Sequence, residues 1–418
     1  MRKEIKNIGI ALRSFQLRWG VLRSLTAARS FVWLLLFLAA FSTNAQKMTL
    51  NQAIDIAQKQ NISLKAAGLD IDSKQMLVKT AKELPKAQVE MQYGNIQNPF
   101  VGDYLLGITQ TFEHKKVYQA RKELLTSYLE ESKASLTIQK ADISLKIKSL
   151  YHSMAYFQAL NDLMTKQDSL YLLASSVANA RYKAGESNLL EKMSIETQYK
   201  DLQNRIVKYK SQYETAYYQL VNVLNWRDTL RIESQDFMRK KISMADYSQN
   251  PTLNYLQKVS EGFAKETALE QQKLRPDFKV GIINQSMQGS IRQFIIQGGI
   301  GIPIFKDAQK ARIEAAKINQ QVAATRIEAL ENQLINELRG LQNQLKRVSQ
   351  TLDYYEKNAL PQADLLTEMA LKRYKAGEID YLEWHQNHAQ AQIIKEQYLQ
   401  TVWNYQDIIT QIEYLSGI

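Results

Sequence analysis

One hexapeptide, Arg-Tyr-Lys-Ala-Gly-Glu, occurs twice in the chain, at 181–186 and again at 373–378. The offset is 192 residues, and other landmarks keep nearly the same spacing. Pro85 matches Pro276, Phe112 matches Phe305, Ala120-Arg121 matches Ala311-Arg312, and Asn61-Ile62 matches Asn250-Pro251. A chain with this self-similarity is a tandem duplication, so each half must be read as one structural unit. The halves are expected at 46–240 and 241–418.

Glycine and proline divide each half. Neither occurs from His114 to Ala184 or from Glu186 to Asn250, and twelve of the 22 in the chain fall within 85–113 and 276–303. Long stretches without either residue predict long helices, and the two rich windows predict compact non-helical islands. The helices carry coiled-coil spacing. Leu334, Leu341, Val348 and Tyr355 form one series of seven, and Leu338, Leu345, Leu352 and Ala359 interleave with it. Ile143, Leu150, Phe157 and Met164 form the corresponding series in the first half. Such stripes specify packing between helices, and the tyrosines at 209, 213, 217 and 218 are read the same way.

The islands alternate instead. In Ala87–Tyr93 apolar and polar residues take turns, and Tyr104, Leu106 and Ile108 continue the pattern after the turn 95–103. Phe278, Val280 and Ile282 precede a second turn at 286–290, and Phe294, Ile296, Gly298, Ile300 and Ile302 share a face after it. Period two over 9–11 residues predicts β-hairpins at 86–112 and 277–305, long enough to span a bilayer when tilted. Open sheet edges cannot face lipid, so four such strands either close a barrel with other copies or lie on a soluble core. The two helices flanking each join, about 187–226 and 251–274, together nearly match the long helix 113–184. That predicts a wall with one continuous helix beside two stacked pieces, and a small side domain at 226–249.

Residues 1–45 hold seven basic side chains against Glu4 alone, half of the formal charge of +12. Eleven apolar residues follow at Phe31–Phe41, then Ser42-Thr-Asn-Ala45. This reads as a secretion signal cleaved after Ala45, too short in its apolar run to span a membrane. With the leader set aside, the charge argues against a nucleic-acid surface. The chain has no Cys and only four His, with no glycine-rich phosphate loop. No disulfide, thiolate metal site or catalytic constellation is available, so no enzyme activity and no cofactor are expected.

Taken together, these features resemble the TolC family of outer-membrane efflux proteins over the whole of 46–418. The resemblance rests on the duplication, the Tyr-x-x-Gly-Glu turn in both halves, the strand ending in Ile302-Pro-Ile-Phe305, Leu360-Pro-Gln-Ala363, and the element order. It departs at Thr109-Gln-Thr-Phe112, where a proline is usual, and at Asn61-Ile62. The resemblance implies a mainly α chain with a β-barrel portion. Three chains would each give four strands to a twelve-stranded barrel in the outer membrane, with long helical hairpins forming a periplasmic tube. The implied partners are outer-membrane lipid, two further copies, a periplasmic adaptor, and an inner-membrane transporter of the RND type. The implied role is a passive exit duct of a tripartite efflux system. A duct for type I protein secretion is the alternative within this fold, and a periplasmic coiled-coil adaptor the alternative outside it.

The same resemblance assigns residues. Arg181, Tyr182, Gly185, Glu186, Arg373, Tyr374, Gly377 and Glu378 would form the adaptor-docking tips. Glu191 and Glu383, six residues after each turn glycine, would form acidic rings at the periplasmic gate. Gln386, one turn on from Glu383, is not acidic, so no second acidic ring is expected from that helix. His385 and His388 have the i, i+3 spacing of a shared metal site beside Glu383, but two histidines on a helix surface are more often incidental, and no metal is assigned.

Overall fold

The computed structural model describes residues 46–227, 229–233, 246–287 and 291–418. The leader 1–45, the boundary between halves at 240, and most of the turn 286–290 lie outside the described residues. In chain order the elements are β1 (Gln46–Met48), α1 (Leu50–Gln60), α2 (Ile62–Val78), β2 (Gln88–Asn98), β3 (Val101–Phe112), α3 (Lys115–Lys183) and α4 (Leu189–Leu224). There follow β4 (Leu230–Ile232), α5 (Pro251–Gln272), β5 (Asp277–Met287), β6 (Ile291–Gly301), α6 (Asp307–Tyr354), α7 (Leu360–Lys375) and α8 (Tyr381–Ser416). A 3₁₀ turn, Lys79–Lys82, extends α2, and a single π turn, Tyr355–Ala359, joins α6 to α7.

The chain divides into two units. In the smaller, β1 pairs in parallel with β4, and the Glu233 N–H extends the ladder by donating to the Met48 carbonyl at 3.2 Å. β4 falls within the expected side domain 226–249, whereas β1 comes from outside it. The rest of that segment, 234–245, lies outside the described residues.

The larger unit holds the helices and a four-stranded antiparallel sheet of order β2-β3-β5-β6. The helices attached to these strands keep the same order, α2-α3-α5-α6, as neighbours in a row. At α3, 69 residues carry the wall about 104 Å. α6, the π turn and α7 together span the same 307–375 stretch as its counterpart 192 residues on. The π turn has a local cause. Pro361 lacks an N–H and its ring crowds the carbonyl four residues back, so the preceding turn widens. The heptad seam of α6 is buried as its spacing predicts, with Leu338, Leu341, Val348 and Leu352 packed against Val402, Tyr405, Ile409 and Ile412 of α8.

The stacked pieces meet at two equivalent joins. The Asn61 side chain caps α2 by accepting from the N–H groups of Ser63 and Leu64, while its amide donates to the Val223 carbonyl at 2.8 Å, near the end of α4. Asn250 caps α5 in the same way and donates to the Leu415 carbonyl at 2.9 Å, near the end of α8. Each returning helix then closes on a left-handed residue, Asn225 at φ 51° and Gly417 at φ 74°. Substituting Gly417→Ala is expected to cost roughly 1–2 kcal/mol from the positive φ alone. The cost should exceed that, because a Cβ there collides with the Gln249 carbonyl. A thermal melt checks this, and an unchanged midpoint would show that the second join bears no stability.

One carboxylate sits awkwardly in the wall. Gly262 of α5 has no Cβ, and the carboxylate of Glu131 on α3 fills that place. Burial pushes Glu131 up to about 7, against a smaller lowering by Lys74. A raised carboxyl pKa costs no stability below about 4.5 and its full cost above about 7. Stability should therefore fall as pH rises through that window. Glu131→Gln should flatten the dependence and melt higher than the parent at pH 8 but not at pH 4.

The sheet has an unusual exterior. Val89 pairs with Ile108, Ile108 with Ile282, and Ile282 with Ile296, one row across all four strands, and every member is exposed. Met91, Leu106, Phe112, Phe278, Phe294 and Ile300 extend the same apolar face. The opposite face holds the row Gln88, Thr109, Gly281 and Gln297, interrupted by Leu105, Ile283 and Ile295. β2 and β6 are left as open edges, so a single chain forms no closed barrel. Among the described residues no helix is long and apolar enough to cross a membrane.

Candidate functional site at the helical tips

The two Gly-Glu turns fold identically at the backbone. Gly185 has φ 77° and Gly377 φ 74°. Glu186 N–H donates to the Arg181 carbonyl at 2.9 Å and Glu378 N–H to the Arg373 carbonyl at 3.0 Å, closing α3 and α7 with the same left-handed cap. Asn188 and Asp380 then cap the returning helices by accepting from the N–H groups of Glu191 and Glu383. Both gate candidates thus sit at the third position of a helix, where an acid suits the helix dipole.

The side chains diverge. Tyr374 is 1 % exposed, whereas its counterpart Tyr182 is 39 % exposed. The Tyr374 hydroxyl donates to the Glu191 carboxylate at 3.4 Å, and the Arg181 guanidinium lies 5.9 Å over its ring. Burial, aided by Glu191, pushes the Tyr374 phenol up to about 12, so it remains a donor at neutral pH. Glu191 also accepts from the Ser187 hydroxyl. Arg181, Glu191 and Tyr374, three residues from two different tips, therefore form one cluster tying the first hairpin to the second. Glu383 is apart from it, exposed and 3.9 Å from Arg373, which also reaches Glu378 at 3.3 Å. Tyr182 packs under Lys192 at 5.5 Å.

Behind the turns lies an aromatic core. Trp384 is fully buried and stacks on Tyr374 at 5.6 Å and on His388 at 5.1 Å, with Tyr171 of α3 edge-on at 5.5 Å. His388 is enclosed there, and burial pushes it down to about 4, so it stays neutral under ordinary conditions. His385 instead meets the Tyr171 hydroxyl at 3.3 Å. Among the described residues no group of three His, Asp or Glu is placed to hold a metal ion.

The sequence reading passed over two residues here. Leu190 and Leu382, again 192 apart, are 76 % and 60 % exposed directly beside the turns. Their signal was available, since both are apolar residues placed just after a polar helix cap.

No protein-family model matches the sequence, and no curated protein matches it either. Solved structures do. MtrE, an outer membrane channel of Neisseria gonorrhoeae, aligns with a TM-score of 0.73 at 14% identity, over 88% of each chain. VceC, an outer membrane protein of Vibrio cholerae, aligns with a TM-score of 0.72 at 13% identity, over 88% of this chain and 96% of its own. CmeC, an outer membrane channel of Campylobacter jejuni, gives 0.72 at 12%, over 88% and 85%. The chain has the TolC-type channel fold. It shares with these channels the arrangement of helix and strand across nearly the whole described length, at an identity that leaves its side chains to be read on their own terms.

Proposed function

We propose that this chain is the outer-membrane exit duct of a tripartite efflux system. The observation that carries the reading is the exposed apolar row Val89-Ile108-Ile282-Ile296 on a sheet with two open edges, continued by helices in the same order. A soluble protein gains nothing from such a face, and a bilayer accepts it only when the edges are paired. Pairing β2 of one copy with β6 of the next makes three chains a twelve-stranded barrel. The outer-membrane channels that share the fold support this placement. The halves 46–240 and 241–418 then each supply one β-hairpin and one helical hairpin, the latter reaching into the periplasm.

In this reading the tips do two jobs. Gly185, Gly377, Glu186, Glu378, Arg373 and Tyr182 present the turns to a periplasmic adaptor, with Leu190 and Leu382 adding apolar contact. Tyr374 lies too deep for that and serves with Arg181 and Glu191 to hold the tips together. Glu383, held only by Arg373 at 3.9 Å, is the acid that faces the entrance. An inner-membrane transporter of the RND type supplies the energy. The sheet distinguishes the chain from a periplasmic adaptor.

The test is conductance of the reconstituted protein. The parent should insert as a trimer with low conductance. Tyr374→Phe combined with Glu191→Gln removes hydrogen bonds worth about 1 kcal/mol each and should raise conductance several-fold. A monomer without conductance in either form would sink the duct reading. A conducting trimer indifferent to the double change would sink only the latch.

A further inference from the structure

Basic side chains gather where the larger unit changes between helix and strand. Lys82 and Lys86 lie between α2 and β2, Lys115 and Lys116 open α3 just after β3, and Lys306 and Lys310 flank the start of α6 after β6. All six are exposed. The fourth change, between α5 and β5, carries Lys273 and Arg275, but these are engaged by Glu270 and Gln272 at 2.6 Å each. Among the described residues Lys82, Lys86, Lys115, Lys116 and Lys306 have no ion-pair partner, and Lys310 has only a loose one, Asp307 at 3.6 Å. Of the nearby acids, Glu113 is taken by Arg121 and Glu270 by Lys273; Glu83 and Asp307 are exposed, and Asp277 lies half-buried near Glu113.

Helix physics does not account for these positions. A cation belongs near a helix C-terminus, where the dipole favours it. Lys115 and Lys116 instead occupy the first two places of α3, whose first turn has no acid. Lys306 is the N-cap residue of α6 and makes no side-chain cap. Three cations therefore stand where their own helices repel them; the first turn of α3 has no acid, and that of α6 has only Asp307, which lies 3.6 Å from Lys310. Directly beside them the apolar face ends in bare residues, Ile302, Ile304 and Phe305, the last 95 % exposed. Free cations next to a free apolar rim match the boundary of a bilayer, where long basic side chains reach from the apolar zone to phosphates.

We propose that this collar binds the phosphates of anionic phospholipid headgroups in the leaflet that meets the helical end of the sheet, and so sets how deep the sheet sits. The inference rests on the membrane reading of the sheet, and its test separates the two. The full chain is reconstituted in vesicles of phosphatidylcholine with a minority of phosphatidylglycerol, extracted in mild detergent, and its bound lipid analysed. Phosphatidylglycerol should be enriched several-fold over the bilayer ratio, since each lysine near such a surface contributes about a fivefold preference. The triple change Lys115→Gln, Lys116→Gln and Lys306→Gln should cut the enrichment several-fold, and adding Lys82→Gln, Lys86→Gln and Lys310→Gln should return the ratio to that of the bilayer. An equal charge loss elsewhere, at Lys140, Lys208 and Lys346, should leave the enrichment in place. No enrichment in the parent, or enrichment unaltered by the triple change, overturns the collar. Resistance to alkaline extraction from pure phosphatidylcholine vesicles reports the sheet alone, and a chain that washes out of every vesicle overturns both.

Discussion

Ile296→Lys should prevent the sheet from holding in a bilayer, while Gln297→Lys, one residue on, should be tolerated. Ile296 ends the four-strand row of apolar side chains, and Gln297 ends the row on the opposite face. In a barrel, alternate residues meet lipid and water, so these neighbours have opposite solvents. A lysine facing lipid near the midplane costs about 2–4 kcal/mol, and in a trimer the cost falls three times. The first substitution should leave protein that fails to assemble and is removed by alkaline extraction; the second should give membrane-held trimer at the parent level. On a soluble sheet packed against nothing, both lysines would be harmless, because Ile296 is already 83 % exposed. Equal tolerance would therefore remove the barrel, and with it the duct.

The second large effect is at the other end of the wall. Trp384→Ala should cost roughly 3–5 kcal/mol, the range for emptying a large aromatic site. Trp384 touches Tyr171, Tyr374, Tyr381 and His388, so its loss opens a cavity between α3, α7 and α8 at once. Hydrogen exchange should rise sharply around 164–206 and 370–392 and remain unchanged in the sheet. At the equivalent place in the first half stands Lys192, a half-buried residue 4.0 Å from Glu196 and over the exposed Tyr182 ring, and Lys192→Ala should be nearly silent. Similar exchange in the two variants would mean that the tips are held together by something other than this core.

Much of this fold is legible before any coordinates. Alternation marked all four long strands, although Leu105, Ile283 and Ile295 break it on the second face. The stretch free of glycine and proline from His114 to Ala184 marked α3 to within a residue at either end, while the next one ran on past the end of α4 at Leu224 to Asn250, 26 residues too far. The twin Gly-Glu turns and the stacked pieces follow from repeat spacing alone. Other features depend on forces that leave little trace in one dimension. The break at Asn61 carries no proline to mark it, only an asparagine whose side chain caps α2. β1 and β4 are three residues each, too short for a period to register. The tips are the clearest case. Two identical hexapeptides give one buried tyrosine and one exposed, because position 384 is tryptophan where position 192 is lysine, and because Tyr374 packs against Arg181 and Glu191 of the other tip while Tyr182 meets Lys192 of its own. Repetition predicted the backbone faithfully and the side-chain environments poorly, since the second depends on which neighbours the wall supplies.

The amide joins at Asn61 and Asn250 give the wall a mechanical character. α3 is an unbroken strut, and α6 to α7 is broken only by a wider turn, while the struts beside them are pinned in two pieces through single side-chain hydrogen bonds. A rod jointed at mid-length transmits a push along its axis but yields to a sideways load. A sideways load on the tips would therefore concentrate at the two asparagine joints, while the unbroken α3 carries it on toward the strands.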